Sequence, residues 1–523
     1  MRLSTLLDAL PADLAVRDRI APGDVADPVI RGVSYDSRKV APGDLFVALR
    51  GSVADGHDYL SRAIDLGAVA LLVETAPSAD TLGSAVAVVV PDSRRAMARL
   101  APRFYGEPAS EMTLVGVTGT NGKTSTSYLV ESILQRARMR TGLIGTVEVR
   151  YAGEVQVAVN TTPESLDLQA TLRSMCTQNV DHVVMEVSSH GLELERIHGC
   201  GFRVAAMTNL TQDHLDFHGD MDAYRSSKVR LFSEYLDANG CAVVNVDDPS
   251  AAHFLDAARE RGARCLEVSR DAKREAHVRV SDAQITLDGS RVSLALPSGP
   301  LDVELPLLGD FNLENLVVAV GIAVALEIEP EVIAEGIQHC PQVPGRMEVV
   351  EARNDAHPTV VVDYAHTPDA VDKLLAAVRP LVKGRSIAVF GCGGDRDRAK
   401  RPLMAEAVAK HSDLAIATSD NPRTEDPLAI LRDVEAGLGG LTRVEAAALD
   451  QSHRAYTTLP DRSEAIAHAV AIAEPEDAVV LAGKGHEDYQ IVGTVKLPFD
   501  DRDQARRALR ARDEAGQTEG EGR

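Results

Sequence analysis

The chain has 523 residues, 45% of them hydrophobic and 25% charged, with a formal net charge of −23. That length exceeds one ordinary core and predicts roughly two to four globular domains. The acidic balance excludes a dense basic face for nucleic acid and fits anionic membranes poorly, so an anionic ligand must be met by locally clustered Arg and Lys.

In the first hundred residues, 43–49 and 68–73 read as strands around a helical 59–66, with Asp36-Ser37-Arg38 at a turn before them. A break at 103–108 sets the first boundary, giving a small N-terminal α/β domain over 1–104.

The next element carries most of the information. The apolar stretch 112–117 runs into Thr-Gly-Thr-Asn-Gly-Lys-Thr at 118–124 and then an amphipathic helical stretch over 128–139. Strand, glycine-rich turn and helix in that order form a phosphate-binding loop, in which backbone N–H groups and a helix N-terminus hold a polyphosphate. Gly119, Thr120, Asn121, Gly122, Lys123, Thr124 and Ser125 are the candidate ATP-binding residues. Lys123 would reach the β- and γ-phosphates, and the Thr124 hydroxyl would bind Mg²⁺. The usual spacing calls for glycine five residues before Gly122, where this chain has Val117, so the loop is a variant.

Over 105–344 a P-loop ATPase-like, mostly parallel sheet is expected. Residues 182–187, 205–210 and 241–248 are apolar runs that end in polar side chains, as ligand-binding strand ends of open parallel sheets do. Residues 278–296 alternate more and predict an antiparallel insertion. Glu186 at a strand end suits a hard Mg²⁺ ion, and 208–216 brings acids and His214 to the next strand end. Each alone is an ordinary polar loop; after a phosphate loop both become metal or nucleotide contacts. Lys228 is ambiguous on chemistry alone, since a helical lysine is usually solvated.

After Pro341 to Arg346, a third domain over 345–511 alternates strands at 359–364, 386–390, 414–418 and 478–482 with helical stretches, the rhythm of a Rossmann-like doubly wound sheet. Its turn 391–396 has Arg396 where a dinucleotide fingerprint needs glycine, so NAD is rejected. Ser419 to Arg423 is by itself a turn, with Pro422 fixing φ. Yet Arg396, Arg423 and Glu487 all follow strands of one sheet, and two guanidinium forks with a carboxylate could grip a zwitterionic amino acid. The six cysteines show no C-x-x-C spacing and indicate reduced thiols of a cytoplasmic protein. No signal-peptide pattern and no transmembrane run is expected, and 512–523 reads as a disordered tail.

Together the chain resembles the Mur ligase family, ATP-dependent amide-forming enzymes of peptidoglycan precursor synthesis. The resemblance covers nearly the whole chain. It rests on residues 118–124, Asn-Thr-Thr-Pro at 160–163, Met-Glu-Val-Ser-Ser-His at 185–190, Asn-Leu-Thr-Gln-Asp-His-Leu-Asp at 209–216, Asp-Tyr-Ala-His-Thr-Pro at 363–368 and Gly-Lys-Gly-His-Glu at 483–487. The segment Asp420, Asn421, Pro422 and Arg423 resembles the signature of members that add meso-2,6-diaminopimelate to UDP-N-acetylmuramoyl-L-alanyl-D-glutamate; members that add L-lysine differ there.

The resemblance implies roles position by position. Ser37 and the Ser52 region would meet the uridine end, and Asn160, Thr161, Thr162, Ser188 and Arg196 the muramoyl dipeptide. Glu186, His214 and Lys228 would serve Mg²⁺, with Lys228 carbamylated by CO₂. Asn312, Arg346, Asp363 and His366 would contact the nucleotide. Arg396, residues 420–423, Gly483 and Glu487 would hold diaminopimelate. Lys123 and Arg346 would offset the repulsion between the glutamyl carboxylate and the γ-phosphate, and the third domain would close about 341–346. Leu194 stands where some members carry glutamine, which puts one polar contact in question. A monomer acting in cell-wall biogenesis, cell shape and division is implied. The competing expectations are an L-lysine-adding or folylpolyglutamate-synthase-like ligase and a nucleotide-gated regulatory module. The extra N-terminal domain opposes the folate enzyme.

Overall fold

The computed structural model describes residues 1–21, 27–51, 54–287, 289–350 and 357–521. Two compact units emerge, Met1–Arg279 with Asn315–Gly336, and Val280–Glu314 with Ile337–Arg523.

The first unit holds two sheets. Five short strands lie in the order Asp18–Ile20, Val86–Val89, Ala70–Val73, Asp44–Val47, Gly32–Ser34. All pair in parallel except Asp18–Ile20 at the edge. The three inner strands are buried along their whole length, as apolar runs covered on both faces must be. The strands expected at 43–49 and 68–73 are therefore present, and Leu60–Asp65 is the helix between them. Helix Ser93–Tyr105 follows. Asp92 caps it by accepting from the Arg95 amide at 2.9 Å, and Gly106 ends it at φ 74°. This stop coincides with the break read at 103–108.

The larger sheet places Thr113–Thr118 centrally, between Phe202–Met207 and His182–Glu186. Leu236–Asn245 and Arg264–Ser269 extend one side and Thr141–Ile144 the other, all parallel. Glu148–Tyr151 and Glu154–Val157 complete that side as an antiparallel meander. In register, Glu186 faces Val117 and Met207 faces Thr118, so three strands end at one level. Helix Lys123–Arg136 begins directly beyond them.

Of the antiparallel insertion expected over 278–296, Val278 and Arg279 instead pair in parallel with Arg264–Ser269; in the second unit, Gly289–Leu296 pairs antiparallel with Gly299–Leu305. The main sheet has seven strands, in the order Glu348–Val349, Thr359–Asp363, Ala478–Ala482, Ser386–Cys392, Leu414–Ser419, Ala455–Thr458, Thr442–Arg443. Only the first pairs antiparallel. Apolar clusters sit on both faces, one around Phe390, Leu375 and Val408, the other around Ile387, Ile416 and Leu481, the packing of a doubly wound sheet. The last helix, Asp501–Glu521, runs through the stretch expected to be a disordered tail as far as Glu521. Among the described residues no helix is long and apolar enough to cross a membrane.

Candidate active site

The phosphate loop is held open by its glycines. Gly119 has φ 148° and Gly122 has φ 84°. A Cβ on Gly119 would lie 1.9 Å from Thr208 Oγ1, and one on Gly122 would lie 2.1 Å from Asn315 Oδ1. Residues 208–211 are zipped onto the loop. Thr120 N donates to Asn209 O at 2.8 Å, Asn121 N to Asn209 Oδ1 at 2.9 Å, and Thr211 N to Thr120 Oγ1 at 3.0 Å. Thr208 Oγ1 donates to Asn121 O at 2.6 Å. The polar strand end at 208–211 thus braces the loop, a role the sequence reading had not separated from direct ligand contact.

Two lysines converge on this loop. Lys123 Nζ donates to Gly119 O and Thr120 O, both at 2.9 Å. Lys228 Nζ donates to the same Gly119 O at 2.8 Å and lies 4.8 Å from the Tyr224 ring centre. Lys228 is buried, against the usual solvated lysine of a helix surface. Burial pushes its pKa well below the ordinary lysine range, helped by the nearby Lys123 charge and opposed by Asp213.

Glu186 is buried at its strand end. Its carboxylate accepts from Thr124 Oγ1 at 3.1 Å, Thr146 N at 2.9 Å and Thr146 Oγ1 at 2.9 Å. Thr146 carried no signal in sequence. His214 is more open: it lies 3.4 Å from Asp213, and its ring packs edge-on against His190 at 4.9 Å between centres. Burial and the neighbouring His214 and His218 lower His190 to about 4. Among the described residues no three His, Cys, Asp or Glu side chains gather as a metal cage. A hard carboxylate beside a threonine hydroxyl still fits Mg²⁺, which takes one or two carboxylates together with substrate phosphates and water.

The dipeptide candidates form a neighbouring cluster. Thr162 Oγ1 donates to Glu186 O at 2.9 Å and accepts from Ser188 N at 3.0 Å; its hydroxyl lies 3.1 Å from that of Ser188. Thr161 and Thr146 hydroxyls are 3.0 Å apart, and Asn160 beside them is exposed. Arg196 donates to Thr162 O at 2.9 Å and to Glu164 at 2.7 Å, and Arg94 meets the same Glu164 oxygen at 2.8 Å. Arg94 and Glu164 are additions to the sequence-derived set. Leu194 caps helix Ser189–Glu193 through its backbone N–H and offers no polar side chain. Ser37 is buried near the turn of Asp36 and Arg38. Ser52 lies outside the described residues. The hollows beside Thr113, His182 and Arg203 (about 270 Å³) and beside Arg99, His198 and Tyr235 (about 460 Å³) are at strand starts, the opposite end from ligand-binding strand ends.

In the second unit, Asp363 accepts from the Met347 and Ala365 amides, both at 2.8 Å. Loss of water raises its pKa, partly offset by the Arg346 guanidinium. Arg346 lies over the Tyr364 ring at 5.2 Å, and His366 packs against the same ring at 4.6 Å. Asn312 opens helix Asn312–Ala325 and donates to Leu308 O. Asp363, Arg346 and His366 thus gather at the Tyr364 ring, a stacked, cation-bearing surface suited to a nucleotide.

At the neighbouring strand ends, Arg423 adopts φ 52° and donates to Gly394 O at 2.8 Å. Asn421 Nδ2 donates to Glu487 Oε2 at 3.0 Å, and Gly394 N to Asn421 O at 2.9 Å. Arg396 stands exposed in the loop after Ser386–Cys392. Gly483, at φ 121°, links Ala478–Ala482 to Glu487. The hairpin Tyr489–Val492 and Val495–Pro498 backs this corner, with Gln490 Nε2 donating to Asp420 O at 2.7 Å. Lys484, within the motif but not among the expected site residues, is fully buried between Asp420, Asn421 and Glu487.

Comparison with known proteins matches each of these segments. Residues 29–105 fit the Mur ligase family catalytic domain, 117–323 the Mur ligase middle domain, and 345–485 the Mur ligase glutamate ligase domain. The UDP-N-acetylmuramoyl-L-alanyl-D-glutamate--2,6-diaminopimelate ligase of Geobacillus thermodenitrificans is 43% identical, over 98% of this chain and the full length of that protein. The ligase of the same description from Gloeobacter violaceus is 46% identical, over 96% of this chain and 99% of its own. A solved structure of a ligase so described is similar at 35% identity and a TM-score of 0.66, covering 92% of this chain and 95% of that one. The chain belongs to the Mur ligase family.

Proposed function

We propose that this chain joins meso-2,6-diaminopimelate to the D-glutamyl γ-carboxylate of UDP-N-acetylmuramoyl-L-alanyl-D-glutamate, consuming ATP, in peptidoglycan precursor synthesis. The observation that carries it is the pairing of a lysine-braced phosphate loop with the Asp420–Arg423 and Glu487 corner, in a chain 42–46% identical to ligases so described.

The γ-carboxylate oxygen attacks the γ-phosphorus of ATP, the bond to the β,γ-bridging oxygen breaks, and ADP leaves. Two anions must meet, so Lys123 would offset the repulsion while the loop amides hold the phosphates, and the family resemblance gives Arg346 the same task. Thr124 and Glu186 would hold Mg²⁺, which would supply further charge neutralisation. The resulting acyl phosphate is attacked at its carbonyl by the acceptor amine, which loses a proton as phosphate leaves and the amide forms. Arg396 and Arg423 would read acceptor carboxylates and Glu487 an ammonium.

A carbamate on Lys228 belongs to this reading. CO₂ adds only to a neutral amine, and the buried Lys228 is pushed toward that form; the product replaces a cation with oxygen ligands. Domain limits at 104/105 and 344/345, a monomeric state and a cytoplasmic location complete it. All six cysteines are free, as in a reducing compartment.

The decisive measurement is phosphate release in the presence of the UDP-dipeptide and ATP. Release should require meso-diaminopimelate and be far weaker with L-lysine. Equal turnover with L-lysine would overturn the acceptor assignment, and release without any acceptor would favour a regulatory nucleotide switch. Arg423→Lys should raise the acceptor KM by about tenfold or more with the ATP KM little changed, since a planar fork is lost. Equal effects on both KM values would remove Arg423 from acceptor recognition.

A further inference from the structure

Lys484 has no solvent exposure. A buried cation is tolerated only when its donors are met. Its Nζ lies 3.5 Å from Asp420 Oδ1, 3.3 Å from Asn421 Oδ1 and 3.3 Å from Glu487 Oε2, with the Tyr489 ring centre at 5.6 Å. Three acceptors match the three protons of an ammonium.

The acceptors come from loops that do not follow adjacent strands. Asp420 and Asn421 follow Leu414–Ser419, and Glu487 follows Ala478–Ala482, while Ser386–Cys392 runs between the two. Two inter-strand spacings, about 9–10 Å, separate the two strands. Beyond the strand ends the two regions meet, through Arg423 N to Ile491 O at 3.0 Å, Gly493 N to Arg423 O at 2.7 Å and Asn421 Nδ2 to Glu487 Oε2 at 3.0 Å, and the lysine ammonium sits at the centre of that contact as its buried cation. Asn421 is fixed from its other side as well, because its Oδ1 accepts from Ile491 N at 2.9 Å. Beneath lies a second fully buried pair, Arg462 and Asp501 at 2.6 Å, with Arg462 also donating to Ala482 O at 3.1 Å.

We infer that Lys484 is a positioning residue for the amino-acid acceptor: its ammonium ties the 420–423 loop to the 483–487 loop across the intervening strand. Glu487 Oε2 is held by Lys484 and Asn421, while Oε1 meets, among the described residues, the Tyr489 hydroxyl at 3.4 Å, leaving that oxygen for an acceptor ammonium. The same tie sets the start of the turn that aims Arg423. This inference rests on the amide-ligase reading above and names what sets its acceptor geometry.

The test uses the full chain with Lys484→Met and Lys484→Arg, varying meso-diaminopimelate, ATP and the UDP-dipeptide in turn in a phosphate-release assay. Wild-type dependence on meso-diaminopimelate is measured first; its absence overturns the ligase reading itself. Given that dependence, Lys484→Met should raise the acceptor KM about 30-fold, with the other two KM values within about twofold. Lys484→Arg should lie between, near tenfold, because it restores charge but not three-point geometry. An acceptor KM within about twofold of wild type overturns the positioning role alone, as does a parallel rise in all three values, which marks general structural damage. Should Lys484→Met fail to fold, Lys484→Arg is judged by the same criteria.

Discussion

Lys228→Ala should lower turnover by about a thousandfold or more while leaving a folded protein. Lys228 is buried beside Lys123, and the two ammonium positions share the Gly119 carbonyl. Nature does not place two like charges on one acceptor for stability. Burial has already pushed Lys228 toward the neutral amine that CO₂ needs. If the modified side chain supplies oxygen ligands near Glu186, the alanine variant loses them and leaves space. Added formate or acetate should then restore part of the activity. The shape-keeping Lys228→Met should be as inactive but melt a few degrees higher than wild type, because it removes a desolvated amine from beside a lysine. Melting curves and phosphate release check both halves. Wild-type activity in Lys228→Ala would end the carbamate proposal, and a collapsed melting point would make the residue structural.

Gly119→Ala should raise the ATP KM by about a hundredfold or more and destabilise the protein by about 3 kcal/mol. Two penalties coincide. The backbone sits at φ 148°, and the new Cβ would lie 1.9 Å from Thr208 Oγ1 and 3.1 Å from Asn209 N. Thr208 cannot retreat freely, because its hydroxyl donates to Asn121 O at 2.6 Å. The loop itself must shift, taking with it the carbonyl on which both lysines depend. Gly439→Ala is the matched control, since a Cβ there meets nothing within 4 Å. Nucleotide-binding calorimetry with thermal melts checks the pair. An unchanged ATP affinity in Gly119→Ala would show that the loop is more pliant than its packing indicates.

What could be read from the chain follows a physical divide. Buried parallel strands announce themselves as apolar runs, so 113–118, 182–186 and 478–482 were visible, and the polar residues at their ends pointed to one ligand-bearing edge. The glycines and Lys-Thr of the phosphate loop were legible because backbone geometry demands those residue types locally. Partners brought from far along the chain were not. Thr146 steadies Glu186 from 40 residues away, and Asn315 limits Gly122 from almost 200. Lys228 illustrates the gap best: periodicity says a helix, but only the packed fold says that its amine is dry.

The lysine bridge between the 420–423 and 483–487 loops has a consequence for how acceptor choice can change over time. A substitution in either loop alters the socket into which the other has been fitted, so single changes should score as losses even when they are half of a viable pair. Acceptor preference would then move in coupled steps, with residues some sixty positions apart replaced together and the neighbouring hairpin following. An exchange of acceptor specificity by transplantation should therefore carry both loops, Lys484 included, as one inherited block.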